Sequence, residues 1–210
     1  MLRRGLCHFL TLVVLAALLL GAQAVWAAST LDLLGVGWNK SPVTVLINHA
    51  RGVTPAAVAD VETAITDWNN AISGAGISGA PTLQEVTGVT TADIVIYMKV
   101  GGGVILGQTL PKTISPFSCA LKSVRIQLSG KAFGLHLSDA GTRNVARHEL
   151  GHAFGLGHSD DDTDLMFPTF DTAQVFGTSD VSISSCDLKG IDAIYPLPTV
   201  CNLPASVTCP

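Results

Sequence analysis

The run His148-Glu149-Leu150-Gly151-His152-Ala153-Phe154-Gly155-Leu156-Gly157-His158 has residue types and spacing that can do chemistry. It reads H-E-x-x-H-x-x-G-x-x-H. On a helix, His148 and His152 leave the same face and can share one metal ion. Gly155 can end that helix with a positive φ at little steric cost. The chain can then turn back and bring His158 to the same ion. Three neutral imidazoles suit Zn2+ and leave a fourth position for water, as in a catalytic rather than a closed structural site. Water on such an ion has a lowered pKa and becomes a nucleophile near neutral pH. Glu149, at the edge of the ligand face, can take the water's proton and pass it to a departing amine as general base and then acid. The short H-E-x-x-H also arises by chance in core helices. Gly155 and His158 at the required spacing separate this run from that case.

These side chains need elements to position them. Val43-Thr44-Val45-Leu46-Ile47 is β-branched and predicts a strand. Thr54-Pro55 opens a helix whose apolar positions Val58, Val61, Ala64, Ile65, Trp68, Ala71 and Ile72 keep helical spacing and read as core. Further strands are predicted at Leu83 to Val86, Ile94 to Met98, Val104 to Leu110 and Val124 to Leu128, with Gly101-Gly102-Gly103 as a turn. The ligand helix begins at Ser138 or Asp139, with Asp139 read as a cap, and runs to about Phe154. A last helix covers about Ser185 to Tyr195, followed by an irregular Pro-rich tail. Strands mixed with three helices predict one α/β or α+β domain.

The chain has 210 residues and a formal net charge of −4. No basic stripe or basic-aromatic patch is present, so no nucleic-acid partner is expected. Residues 1–27 read as a secretory signal: Arg3 and Arg4, an apolar stretch from Phe9 to Leu20, then small residues. Ala22-Gln23-Ala24 and Val25-Trp26-Ala27 both fit a cleavage site, which predicts a secreted, periplasmic or extracellular protein without stable membrane insertion. The remaining organisation reads as a short N-terminal segment at 28–37, the domain at 38–196 and a tail at 197–210. Cys119, Cys186, Cys201 and Cys209 form an even set in an oxidising compartment and predict two disulfides, with Cys119–Cys186 and Cys201–Cys209 the favoured pairing. Asp160, Asp161, Asp162 and Asp164 could hold Ca2+ through hard oxygens. Without EF-hand spacing, a solvated acidic loop is the expectation. His49 and His136 read as ordinary surface histidines.

Beyond the histidines, Ser159, Leu165-Met166-Phe167-Pro168 and Gly190-Ile191-Asp192-Ala193-Ile194-Tyr195 resemble the metzincin endopeptidases, and within them the matrixin catalytic domain. The likeness runs from about Trp38 to Tyr195 and is strongest over 145–170. It implies an α+β, zincin-like fold: a mixed, mostly parallel twisted sheet of about five strands, three helices, and a catalytic zinc in a cleft along the edge strand. It implies that Met166 is the Met-turn residue beneath the ligands. Leu106-Gly107-Gln108-Thr109-Leu110-Pro111 is similar to the family's edge strand, so Leu106 and Gly107 are implied as main-chain partners of an extended substrate. Pro168-Thr169-Phe170 is similar to the wall of the main specificity pocket, which implies that Pro168 and Phe170 bind substrate.

Three departures qualify the resemblance. Gln108 and Arg125 stand where histidines of a second, structural zinc are expected, so one ion is predicted. No Pro-Arg-Cys-Gly switch is read before Trp38, so thiol-based latency is not expected. Cys186-Asp187 replaces an Asp-Asp pair, which removes one acidic contact of the last helix. The resulting expectation is a secreted, monomeric zinc endopeptidase acting on proteins or peptides. The alternative from another class is an exported zinc-bearing module that binds peptides without cutting them. Completeness of the catalytic roles favours the enzyme.

Overall fold

A computed structural model of the chain describes residues 28–115, 118–198 and 201–209. The predicted signal segment, 1–27, lies outside the described residues. The strands are β1 (Thr30–Leu33), β2 (Val43–His49), β3 (Leu83–Glu85), β4 (Ile94–Lys99), β5 (Gly107–Ile114), β6 (Leu121–Ser129), β7 (Lys131–Ala132), β8 (Leu135–His136), β9 (Leu156–Ser159) and β10 (Ser206–Thr208). The helices are α1 (Pro55–Gly74), α2 (Asp139–Phe154), α3 (Thr172–Phe176) and α4 (Ser185–Ile194).

The main sheet has the order β3-β2-β4-β6-β5. Its first three pairings are parallel and β5 is antiparallel to β6. The architecture is therefore α+β with a mixed, mostly parallel five-stranded sheet, as the resemblance implied. Alternation along the strands buries Val43 and Val45, then Ile94, Ile96 and Met98, then Val124, Ile126 and Leu128. Helices α1 and α2 cover these side chains. Thr54 caps α1 by accepting the Ala57 N–H at 3.1 Å, with Pro55 in its first turn. Val61, Ala64, Ile65, Trp68 and Ile72 form its buried stripe. Trp68 packs on Phe154 of α2 with ring centroids 5.2 Å apart, and its indole N–H donates to the Arg147 carbonyl at 2.9 Å. Full burial of such an aromatic contributes about 2–3 kcal/mol.

Charged groups also lace α1 to α2. Arg143 meets Asp60 at 2.9 Å, and Arg147 Nε donates to Asp67 at 2.7 Å. Asp180, in the segment after α3, pairs with Arg147 as well. These contacts set where α2 lies across the sheet, and so where its ligand face points.

Several sequence expectations change here. The segment 28–37 and the tail are not irregular appendages. β1 lies between β10 and β9 in a second, antiparallel three-stranded sheet. Strand β5 starts at Gly107, which leaves Val104 and Ile105 outside it and exposed. A short helix, α3, and a β7–β8 hairpin also lack a counterpart in the sequence reading. Ser138, not Asp139, caps α2: its hydroxyl accepts the Gly141 N–H at 3.0 Å. The disulfides are Cys119–Cys201 and Cys186–Cys209 rather than the favoured pairing. The reason is spatial. β10 runs beside β1, and β1 packs against α4, so Cys209 arrives next to Cys186 at the start of α4.

Candidate metal centre and peptidase cleft

Helix α2 carries His148 and His152 one turn apart. Its end is set by Gly155, which has φ 107° and donates its N–H to the His152 carbonyl at 3.0 Å. A side chain at Gly155 would also meet the Val36 carbonyl oxygen at 2.1 Å, so the chain can pass close to the 34–37 segment only without one. The chain then enters β9, which carries His158. Ligand-capable atoms of His148, His152 and His158 lie within 4.8 Å of one another. Among the described residues, no other group of three or more His, Cys, Asp or Glu side chains is this compact.

The donor chemistry fits a divalent transition metal. His148 Nδ1 lies 2.7 Å from the Leu165 carbonyl, and His152 Nδ1 lies 2.8 Å from the Leu156 carbonyl. A carbonyl oxygen can only accept, so each Nδ1 carries the proton and each Nε2 keeps a free lone pair. Burial lowers the pKa of His148 to about 3 and that of His152 to about 4, so both rings are neutral, as ligation requires. His158 is more open. Burial lowers its pKa too, and the Asp32 carboxylate opposes that shift.

Met166 is fully buried under this cluster. A side chain at Gly151 would come within 2.5 Å of Met166 Sδ, so the missing Cβ admits the methionine beneath α2. Leu165, which orients His148, belongs to the same turn. Ser159 and Asp164 tie that turn together: the Ser159 hydroxyl donates to Asp164 at 2.7 Å. Asp164 is thus buried, unlike the solvated loop residue expected from sequence. Burial follows from its hydrogen bond and from its place just before Leu165. Asp160 accepts the Thr30 N–H at 2.6 Å and ties the loop after β9 to β1, while Asp161 accepts the Thr163 N–H at 2.9 Å and stabilises a local turn.

Glu149 is 5% exposed and faces the edge strand. Burial raises its pKa to about 7, while a hydrogen bond from Thr109 works against that rise. The Thr109 hydroxyl lies 2.6 Å from Glu149 Oε2 and 2.9 Å from the Glu149 carbonyl. Sequence reading passed over Thr109. The available signal was strand periodicity: Gly107 and Thr109 share one face of β5, and that face meets α2.

Of the implied substrate residues, Gly107 begins β5, which is an edge strand of the main sheet. The Leu106 carbonyl accepts the Ser129 N–H at 2.8 Å, which uses one of its two acceptor positions. Phe170 meets the His148 ring edge-on at 5.6 Å. Pro168 and Phe170 line a cavity of about 380 Å³ together with Leu106, Gly107, His148 and Glu149. Arg125, where a second zinc ligand was in question, lies over the Tyr97 ring at 5.1 Å on the outer sheet face. His49 and His136 are exposed.

A mixed five-stranded sheet under two helices, a three-histidine cluster and a buried glutamate between two of those histidines in sequence make up a site that could hold a metal ion. Residues 121–196 match the matrixin family. Interstitial collagenase of Equus caballus is 49% identical over 51 residues, 24% of this chain and 10% of that protein. Matrix metalloproteinase-27 of Tupaia belangeri is 43% identical over 67 residues, 31% of this chain and 12% of that protein. Metalloendoproteinase 1-MMP of Arabidopsis thaliana is 26% identical over 179 residues, 75% of this chain and 44% of that protein. The chain thus spans between a tenth and less than half of these relatives. Over residues 121–196 it is similar to the matrixin catalytic domain.

Proposed function

We propose that the domain is a secreted, zinc-dependent endopeptidase that hydrolyses peptide bonds in extended protein segments. One observation carries the reading: three imidazoles converge within 4.8 Å, and a buried carboxylate from the helix that bears two of them stands beside them. His148, His152 and His158 would hold the ion. Zinc, when bound, supplies Lewis acidity that polarises a carbonyl and acidifies water. Glu149 takes a proton from the attacking water and returns it to the departing amine nitrogen. Its raised pKa suits both halves of that exchange. Strand β5 pairs with the backbone of an extended peptide and so positions the bond without reading its sequence. The cavity beside Phe170 has apolar walls and favours an apolar side chain just after the cut; an unpaired charge there costs several kcal/mol. Two disulfides and a signal-like N-terminus support export.

The test is Glu149→Ala. The variant should bind zinc stoichiometrically and lose nearly all hydrolysis of a mixed peptide library. Loss of zinc together with activity would make Glu149 a ligand. A wild-type, zinc-loaded chain that binds library peptides without cutting them would establish the non-catalytic alternative.

A further inference from the structure

The β7–β8 hairpin holds a side chain that the fold itself does not use. Its strands pair Lys131 with His136 and Ala132 with Leu135. Phe133 and Gly134 form the two-residue turn, with φ 51° and 83°. Such a turn needs positive φ at both positions and favours Asn, Asp or Gly. A bulky aromatic in the left-handed region is strained. Interior packing does not offset that strain, because Phe133 is 75% exposed. Two unfavourable features coincide at one residue, a pattern associated with ligand contact.

Its surroundings identify the ligand. Phe133 lines the same cavity as His148, Glu149 and Phe170. Val104 and Ile105, at 74% and 68% exposure, line it as well, and Leu135 at 61% stands beside the turn. Among the described residues seven large apolar side chains are exposed; these four are the most open, and Val104, Ile105 and Phe133 line the cleft. The hairpin is held in place. Ala132 is buried, and the Leu137 N–H donates to the Gly130 carbonyl at 3.2 Å. A Cβ on Gly102 would meet the Lys131 carbonyl oxygen at 2.1 Å, so the 101–103 segment lies directly against β7.

We propose that Phe133 is a specificity-determining residue: with Val104 and Ile105 it clasps a second apolar side chain of an extended peptide in the cleft. The inference rests on the peptidase reading and narrows its substrates to segments with neighbouring apolar residues. Continuity with the cleft selects a substrate over a second copy of the chain or a lipid surface.

The experiment compares Phe133→Asn with Phe133 in the zinc-loaded Glu149→Ala chain, which binds peptide without cutting it. Asn suits the left-handed turn, so the melting temperature should hold or rise. Affinity for a short labelled peptide with consecutive leucines should fall about tenfold. Affinity for its twin with one leucine replaced by serine should change little. A lower melting temperature with unchanged leucine-peptide affinity would make Phe133 structural and overturn the proposal. So would a wild-type dimer that dissociates in Phe133→Asn, or neutral-vesicle binding lost in that variant. The peptidase reading fails separately: a wild-type chain that cuts nothing, beside a Glu149→Ala chain that still loses peptide affinity with Phe133→Asn, would refute the chemistry and keep the hairpin's role.

Discussion

The Thr109 hydroxyl, on the edge strand, donates to Glu149 Oε2 at 2.6 Å. One hydroxyl thereby joins the edge strand proposed to receive substrate to the carboxylate proposed to move the proton. A hydroxyl has a single proton, so the shorter, charge-assisted contact takes it and the 2.9 Å approach to the Glu149 carbonyl is secondary. The bond stabilises the ionised carboxylate against its burial and restricts its rotamers. Thr109→Val keeps the shape and removes the donor. It should lower kcat by about tenfold, the effect of one charge-assisted hydrogen bond, with KM and zinc content unchanged. Thr109→Ser should restore most of the loss. Steady-state kinetics on the metal-loaded variants check this, and an unchanged kcat for Thr109→Val would remove Thr109 from the machinery.

His158 sits on β9, whose place depends on both ends of the described chain. Leu31 and Leu33 of β1 pair with Ser159 and Leu156, and β10 pairs with β1 on the other side. The Cys186–Cys209 bridge fastens the end of β10 to α4. Replacing both cysteines by serine should lower stability by about 3 kcal/mol. It should also weaken metal retention, because the strand presenting the third ligand loses its outer support. Chemical denaturation and metal competition with a chelator are the measurements. Equal chelator resistance in variant and wild type would uncouple the bridge from the site.

Gly151→Ala places a methyl group 2.5 Å from Met166 Sδ and 3.2 Å from Trp68 Cζ2 before relaxation. The thioether can shift, but it is fully enclosed, and the Trp68 ring is held by its bond to Arg147. Overpacking of this kind should destabilise the domain by about 1–3 kcal/mol. Thermal unfolding would show it, with the ligand histidines chemically untouched.

Asp187, away from the histidine cluster, gives stability a pH dependence of its own. Its Oδ2 accepts the Ser184 N–H at 2.7 Å, while its fully buried Oδ1 has no partner. Burial raises its pKa to about 6, outweighing the Ser184 hydrogen bonds. Between about pH 4 and pH 6 the folded chain therefore holds a proton that the unfolded chain has released. This group's contribution to stability is full below that window and lost as pH rises through it. Asp187→Asn keeps an acceptor for the cap and removes the titration. Relative to wild type, the variant should gain about 1–3 kcal/mol on going from pH 4 to pH 7. Denaturant titrations at both pH values test this; a constant difference would place the Asp187 pKa in its ordinary range.

Residues 148–158 were legible because their rules are local. Helical spacing aligns His148 with His152, and only a residue tolerant of positive φ can stand at 155. The α1 stripe and strands β2, β4 and β6 were legible for the same reason: their apolar residues repeat with the period of the element that buries them. Tertiary structure decided what depends on partners distant in sequence. β1 and β10 are too short to declare themselves, and become strands only by pairing across 30–33 and 206–208. The disulfide pairing followed from that adjacency, not from Cys spacing. Thr109 gained its role by facing Glu149 40 positions away. Phe133 gained its place only when the hairpin closed beside the cleft. Local sequence determines which residues can act as ligand, base or cap, because backbone dihedrals and periodicity are short-range constraints. Which of them meet is decided by register and packing, where the free energy comes from contacts that no short window contains.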